Sequence, residues 1–598
     1  MEGQGAGWLD RHRRLVVLLF WLGAAAWFLY QRWLPIQWFG LGDTDDNLRM
    51  MEVRGLLSGQ GWFDLRQYRL DPPAGANIHW SRLVDLPIAG IKLALLPFMN
   101  GAAAERTAVA VAPLLPMLVT MAAMAGAMRR LIGPIAIPMA LALLLCAHSV
   151  RGMWMPLRID HHGWQLAMLS LAVLALTDRR PARGGLLLGA ATAVSLTIGL
   201  EMPLYLAAAG GVVALMWVRD RGEAPRLAAY GASLAAGCGL GFLLFASYDN
   251  RLAVCDALSP VWLTTLGAAG AAGVLLSRLR TESWVKRLLI GGAAAIAVTA
   301  FYALAWPHCL GRLEGSTPEL EEMWLSRVRE ARPIYTHSSL VMAAVLALPA
   351  AGLIGYALMI WRNRRAIDAL IPWAALAFLA IIPAALLFWQ TRAGPSAQLL
   401  SIPGATALGW LLIGWVQGRP QMLVRVLGSV LAFYVVSGLA VQNGVQQLTR
   451  EKPSTKQNAI SQANGRCPTL AALRPIAQQP KGYVLTHVDL GPRLITVTHH
   501  DAVAGPYHRN QQAILDVMKG FRGTPEAAQA MIARRGIDYV LICPGLSETT
   551  VYRAESPKGF YAQLAKGKVP AWLAPIPLPK DNPYRMWRVV RPGSRTTR

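Results

Sequence analysis

The stretch RHRRLVVLLFWLGAAAWFLYQRWL, residues 11–34, decides the class of fold. Three arginines stand before an apolar run from Leu15 to Leu34, long enough to cross a bilayer core that needs about 20 residues of helix. No small-residue cleavage site follows, so the run reads as a retained first helix rather than a removed signal segment. The same pairing of apolar run and short basic punctuation recurs near 108–128, 131–150, 164–177, 184–200, 203–218, 227–247, 260–277, 287–306, 339–361, 366–389, 396–416 and 424–441. The pattern predicts a polytopic α-helical membrane protein with thirteen spans.

Composition agrees. Of 598 residues 54% are hydrophobic and only 15% charged, with mean hydropathy +0.36, whereas soluble chains carry about 25% charged residues. Disorder, coiled coil and soluble multidomain enzyme are excluded. The net charge of +25 could suggest nucleic acid, but the basic residues sit in short loops beside apolar runs, where they set membrane orientation. No nucleic-acid partner is expected; the bilayer is.

Orientation follows by counting. With the N-terminus inside, the short cytoplasmic segments hold twenty Lys and Arg, among them Arg129, Arg130, Arg362, Arg364 and Arg365, against eight in the short external loops. Lysine and arginine favour the cytoplasmic side. Residues 1–441 therefore form a transmembrane domain with large external loops at 35–107 and 307–338. Within the first loop, Leu86–Phe98 is too short to span and reads as an interfacial helix. A tail, 445–598, follows on the outer side. After a polar linker, Thr449–Gly465, it carries two short buried strands, 482–486 and 538–543, with helices over 513–521 and 525–535 between them, a small α/β domain. Cys255, Cys309, Cys467 and Cys543 all fall outside the spans, where disulfides persist; Cys467–Cys543 and Cys255–Cys309 are the pairs expected, with unpaired thiols the alternative.

Four polar groups stand out against this apolar background. Gly42-Asp-Thr-Asp-Asp-Asn47 places three carboxylates within four residues directly after the first helix; it is either a solvated acidic turn or a set of hard oxygen ligands suited to Mg2+ or Mn2+. Arg158-Ile-Asp-His-His-Gly163 offers Asp160 and His162, a carboxylate and an imidazole that could reach one ion. Glu330, in Ser326-Arg-Val-Arg-Glu-Ala-Arg-Pro333, could complete such a shell or lie solvated in its loop. Arg392 ends an apolar helix, where a guanidinium either forks onto a phosphate or snorkels. His79, Trp80 and Arg82, in His79-Trp-Ser-Arg-Leu-Val-Asp85, join an aromatic, a base and an acid that could shape a substrate groove or form an interfacial belt. The tail histidines match no zinc spacing.

The order of these pieces resembles the catalytic subunit of oligosaccharyltransferase, of the GT-C class of lipid-dependent glycosyltransferases. An acidic motif follows the first helix, Asp160-His-His162 follows the third, Val328-Arg-Glu330 precedes the tenth, and an outer α/β domain closes the chain. The likeness runs loosely from the first helix to about residue 543. It implies a membrane-bound, metal-dependent enzyme that transfers a sugar or glycan from a polyprenyl-(di)phosphate carrier to an acceptor outside a bacterial inner membrane, with the tail periplasmic. It implies catalytic roles for Asp43, Asp160 and Glu330, a Mn2+ or Mg2+ ion on Asp43, Asp160, His162 and Glu330, and Arg392 on the carrier phosphate. The family's W-W-D-Y-G motif, which reads the acceptor sequon, corresponds here to Thr486-His-Val-Asp-Leu-Gly491. Asp489 and Gly491 remain; both tryptophans and the tyrosine do not. Asp489 would still face the acceptor, but a peptide sequon is in doubt. A lipid-linked glycan flippase, or a non-catalytic glycan-assembly protein, is the alternative. A shared ion also requires the metal ligands to converge, and it predicts that Asp45→Ala and Asp46→Ala are milder than Asp43→Ala or Asp160→Ala if Asp45 and Asp46 face solvent.

Overall fold

A computed structural model describes residues 2–449 and 454–591; residues 450–453 of the expected linker and 592–598 of the expected tail lie outside the described residues. Each of the thirteen apolar runs is helical. Among the described residues nine helices are long and apolar enough to cross a membrane, ten if the bent pair Met422–Val436 and Leu439–Leu448 is one span. Three more, Pro134–Cys146, His162–Leu176 and Pro203–Arg219, are apolar but shorter. The expected thirteen is thus nine or ten full-length spans plus three short helices. The 75° bend falls at Gly438, whose φ of +78° is a backbone conformation that glycine adopts freely. Elsewhere small residues let helices touch: a Cβ on Gly355 of Ser339–Asn363 would run into the carbonyl of Gly404 in Gly394–Gln417.

At one end of the bundle lie the pieces read as external. Thr44–Leu57 is a helix whose N-cap is Asp43, with backbone in the extended region and a side chain that accepts from the Asp45 N–H at 3.1 Å. Asp45 and Asp46 occupy its first turn, where carboxylates complement the helix dipole. Asp85–Leu95 is the short helix expected near Leu86–Phe98 and packs against Gly101–Val111.

The tail forms one five-stranded sheet. Its strands are β1 (Tyr483–Leu485), β2 (Asp501–Ala502), β3 (Tyr539–Ile542), β4 (Leu573–Ile576) and β5 (Arg585–Val589), in the order β2-β1-β3-β5-β4. The first three are parallel, with Val484 opposite Tyr539; β5 and β4 add an antiparallel edge. Helices Gln511–Arg522 and Pro525–Arg535 lie between β2 and β3 in the chain. The expected polar linker is, from residue 455, the helix Thr455–Arg466, closed by a capping box of Ser454 and Gln457.

The tail is not a separate bead. Leu70 bridges Ala502 in parallel, so the first loop continues the sheet beyond β2. Arg69 fixes the joint by donating to Asp501 and to the carbonyls of Ile495 and Thr498. One apolar core runs through both, joining Leu48, Leu70, Ile78 and Trp80 to Leu473, Val484 and Leu541. Cys467 and Cys543 are bonded with Cα atoms 6.4 Å apart, and Cys255 and Cys309 with Cα atoms 5.5 Å apart.

Candidate active site

Two turns distant in sequence meet at Asp46. Its Oδ1 accepts the backbone N–H groups of Ile159 and Asp160 at 2.8 and 3.2 Å, which sets the 158–162 turn against the N-terminus of Thr44–Leu57. That docking brings the Arg158 guanidinium between carboxylates: it contacts Asp43, reaches Asp160 Oδ2 at 2.6 Å, and lies 3.7 Å from Asp46. Asp160 Oδ1 accepts the His162 N–H at 3.0 Å, and its Oδ2 lies 3.1 Å from His162 Nδ1.

Four carboxylates meet two basic groups here, for against burial Asp160 holds the His162 imidazole up at about 10. Asp43, Asp45, Asp46 and Asp160 crowd around one arginine. Burial pushes the Asp45 carboxyl up to about 7, with Asp43 and then Asp160 adding to the rise. Burial likewise holds Asp46 well above the usual carboxylate range, against the pull of Arg158. Asp160 goes the other way: burial alone would raise it, but Arg158 and then His162 hold it well below that range. Asp160 Oδ2 is enclosed and has no aligned N–H donor. A donor set of hard carboxylate oxygens and an imidazole, with an enclosed carboxylate oxygen that is ion-paired but lacks a directed hydrogen bond, fits a divalent cation.

A cavity of about 1010 Å³ borders this pair, and Asp43, His162, Glu330, Arg392 and Asp489 all line it. Asp160 lies beside it, in a small recess with Ile88, Pro116 and Trp164. Glu330 and Arg392 arrive together: the Thr391 N–H and hydroxyl both donate to the Arg332 carbonyl, at 2.9 and 2.7 Å, tying the two loops. On the tail wall, the Val488 and Asp489 N–H groups both donate to Glu548 at 2.9 Å. Burial and then Asp43 raise Asp489 to about 6; burial and then Asp489 raise Glu548 to about 8. Of the residues expected to share an ion, Asp43, His162 and Glu330 thus share a cavity and Asp160 borders it. They do not form a closed ligand set, since among the described residues no three of them bring ligand atoms within 4.8 Å of one another. Arg158 stands between Asp43 and Asp160.

His79, Trp80 and Arg82 do not line this cavity, but Trp80 packs against His161 and Tyr507, ring centroids 5.5 and 5.7 Å apart; of the three it is Arg82 that cannot face a groove. Arg82 is fully buried, donating to the Glu52 carbonyl at 2.9 Å and to Asp85 at 3.2 Å, while Arg49 pairs with Asp85 at 2.8 Å and stacks over Trp80 at 4.4 Å. This is a buried ion network that holds the first loop together; a charged residue beside an aromatic carries no sequence mark that separates such a network from a groove. His79 faces His508, ring centroids 4.6 Å apart. Sequence reasoning missed Arg158, Asp46 as an anchor, Glu548 and Glu201. Glu201 receives Gln165 Nε2 at 2.6 Å and pairs with His161 at 2.7 Å. Its signal was available: one carboxylate at the junction of two apolar runs.

No family model matches this sequence, and no curated protein matches it. Solved structures match its fold. The archaeal oligosaccharyltransferase AglB from Archaeoglobus fulgidus, in complex with an inhibitory peptide and a dolichol-phosphate, aligns with a TM-score of 0.64 at 13% identity, over 94% of this chain and 73% of that one. The Archaeoglobus fulgidus oligosaccharyltransferase tethered to an acceptor peptide containing the NVT sequon aligns at 0.62 and 12%, over 93% and 72%. Its complex with Zn and sulfate aligns at 0.56 and 14%, over 84% and 64%. The chain therefore has an oligosaccharyltransferase-like GT-C fold, an integral membrane architecture with a small C-terminal sheet domain.

Proposed function

We propose that this chain is a metal-dependent membrane glycosyltransferase that moves a sugar or glycan from a polyprenyl-phosphate or -diphosphate carrier to an acceptor on the outer face of a bacterial inner membrane, with the N-terminus cytoplasmic and the tail periplasmic. The observation that carries the reading is the single cavity, at one end of an apolar helical bundle, that gathers Asp43, His162, Glu330, Arg392 and Asp489 from separate chain segments. The likeness in fold to an oligosaccharyltransferase solved with a dolichol-phosphate supports the lipid-linked donor.

Asp43, Asp160, His162 and Glu330 would hold Mn2+ or Mg2+, and the likeness to a structure solved with Zn and sulfate supports a divalent ion. When bound, the ion supplies positive charge to a leaving phosphate, a departing group that needs charge stabilisation more than a proton. Arg392, which has no protein partner among the described residues, forks onto the same phosphate and binds the carrier head group. Arg158 neutralises Asp43 and Asp160 and would have to release them for those carboxylates to hold an ion. Glu330 and Asp43 orient the acceptor from one side and Asp489 from the other.

The test is release of polyprenyl phosphate from membrane-extracted lipid-linked sugars by the purified protein in nanodiscs. Release should stop on chelation and return with Mn2+. Release indifferent to chelation removes the metal from the reading, and a transmembrane movement of carrier without release replaces the enzyme with a flippase.

A further inference from the structure

His508 lines the same cavity as Asp43, and nothing above gives it a role. Its Nε2 lies 2.6 Å from Asp256 Oδ2, so Nε2–H donates to the carboxylate and Nδ1 carries the lone pair. Nδ1 has no protein partner among the described residues. Asp256 is fixed in turn by Arg509, whose Nε and Nη2 donate to its two oxygens at 2.8 and 2.7 Å. Arg509 Nη1 donates to Asn77 and Asn250 at 2.9 and 2.8 Å. Three segments, the first loop, the turn before helix Pro260–Ser277 and the tail, thus converge to hold one imidazole. The next residue back, Tyr507, donates from its hydroxyl to the Thr44 carbonyl at 3.0 Å, which holds the segment beside Asp43.

His79, Asp256 and His508 bring their ligand atoms within 4.8 Å, as a metal site would. The bidentate arginine on Asp256 argues against one: a cation there would face a guanidinium already spending both carboxylate oxygens. A carboxylate on one ring nitrogen and an unpartnered second nitrogen at a cavity wall is instead the arrangement of an oriented proton acceptor.

We propose that His508 is the general base for the acceptor of this cavity, with Asp256 as its positioning residue, and that the acceptor is a hydroxyl; the assignment rests on the glycosyl-transfer reading above. As the acceptor oxygen bonds the anomeric carbon, its proton passes to His508 Nδ1. The bond from that carbon to the carrier's phosphate oxygen breaks, and its electron pair leaves with the phosphate. Asp256 stabilises the imidazolium that forms. A hydroxyl is the acceptor that one such base serves, because its oxygen keeps a free lone pair for the anomeric carbon as it gives up its proton, whereas the lone pair of an amide nitrogen is delocalised into its carbonyl. The charged and titratable groups facing His508 are Asp256, Arg509 and His79, the last held neutral by burial and then by His508; Asp43, Asp45 and Glu314 share the cavity.

The experiment uses full-length protein in nanodiscs and follows carrier release from membrane-extracted lipid-linked sugars with Mn2+ across a pH series. Three variants are compared: His508→Gln, Asp256→Asn and Asp160→Asn. His508→Gln should lower kcat about 100-fold or more, leave KM for the lipid donor within a few-fold, and erase the acid-side limb of the pH profile. Asp256→Asn should shift that limb without erasing it. An intact Cys255–Cys309 bond and unchanged thermal stability exclude a folding defect; if His508→Gln fails that check, Asp256→Asn carries the test alone. If Asp160→Asn abolishes release while His508→Gln and Asp256→Asn keep the wild-type profile, the base assignment falls and the glycosyltransferase stands. If Asp160→Asn releases carrier as wild type does, the site reading falls first.

Discussion

Arg158 bonds the carboxylate of Asp43, so the residue that caps the helix Thr44–Leu57 is also a pole of the buried charge cluster. The two duties can be separated. Asparagine caps a helix as well as aspartate does, whereas alanine costs about 1 kcal/mol. Asp43→Asn should keep wild-type thermal stability and lose carrier release; Asp43→Ala should lose both. Equal loss of stability in the two variants would leave Asp43 a structural cap.

Asp46→Ala is expected to be as damaging as Asp160→Ala, because Asp46 is buried and does not face solvent, the condition for a mild effect. Its carboxylate holds the Ile159 and Asp160 amides, and two buried N–H groups left without an acceptor cost about 1–3 kcal/mol each. Asp45→Ala should remain mild. Thermal unfolding together with carrier release checks all three.

Arg392→Ala should act on the carrier rather than on the chemistry. Loss of a charge-assisted fork, about 1.5–3 kcal/mol, corresponds to roughly a 10- to 100-fold rise in KM for the lipid donor with kcat near wild type. A fall in kcat alone would place Arg392 elsewhere.

The tail should lose stability as pH rises. Burial and Asp489 raise Glu548 to about 8 from an ordinary value of 4.5. A folded pKa above the unfolded one means that the folded state holds the extra proton, so the contribution is complete below about 4.5 and disappears as pH climbs through about 8. Melting temperature followed from pH 5 to pH 9 should fall more for wild type than for Glu548→Gln, which stays neutral throughout. Parallel curves would remove Glu548 as the cause.

Sidedness has its own measurement. A cysteine placed near Ser461 should react with an impermeant thiol reagent added from outside, and one near Asn363 should not. The opposite pattern overturns the orientation and the site's location with it.

The sequence carried the helices because apolar runs of spanning length need no tertiary knowledge. It marked Asp43, Asp160 and Arg392 as candidates because charge at the end of such a run is expensive and therefore conspicuous. It concealed Arg158, which by position looks like one more topogenic arginine. It also misplaced Arg82, since nothing local distinguishes an arginine facing a groove from one buried against Glu52 and Asp85. Strands β4 and β5 escaped notice because Pro575, tolerated at a sheet's edge, sits in β4, and the exposed Arg585 and Arg588 break the apolar run of β5. The helix Thr455–Arg466 has only Ala459, Ile460 and Ala463 as apolar residues, too short a stripe to find.

The bridge from Leu70 to Ala502 sets a timetable. Arg69 and Asp501 are 432 residues apart, and a ribosome adding about 5–20 residues per second makes the second roughly 20 to 90 s after the first. On the proposed orientation, Leu70, Ile78 and Trp80 spend that interval on the outer side without the strands that cover them, an exposed apolar surface in an aqueous compartment. Biogenesis therefore includes a waiting half-folded species, and a chain cut short before residue 483 should be held by chaperones or degraded rather than survive as a bare membrane domain.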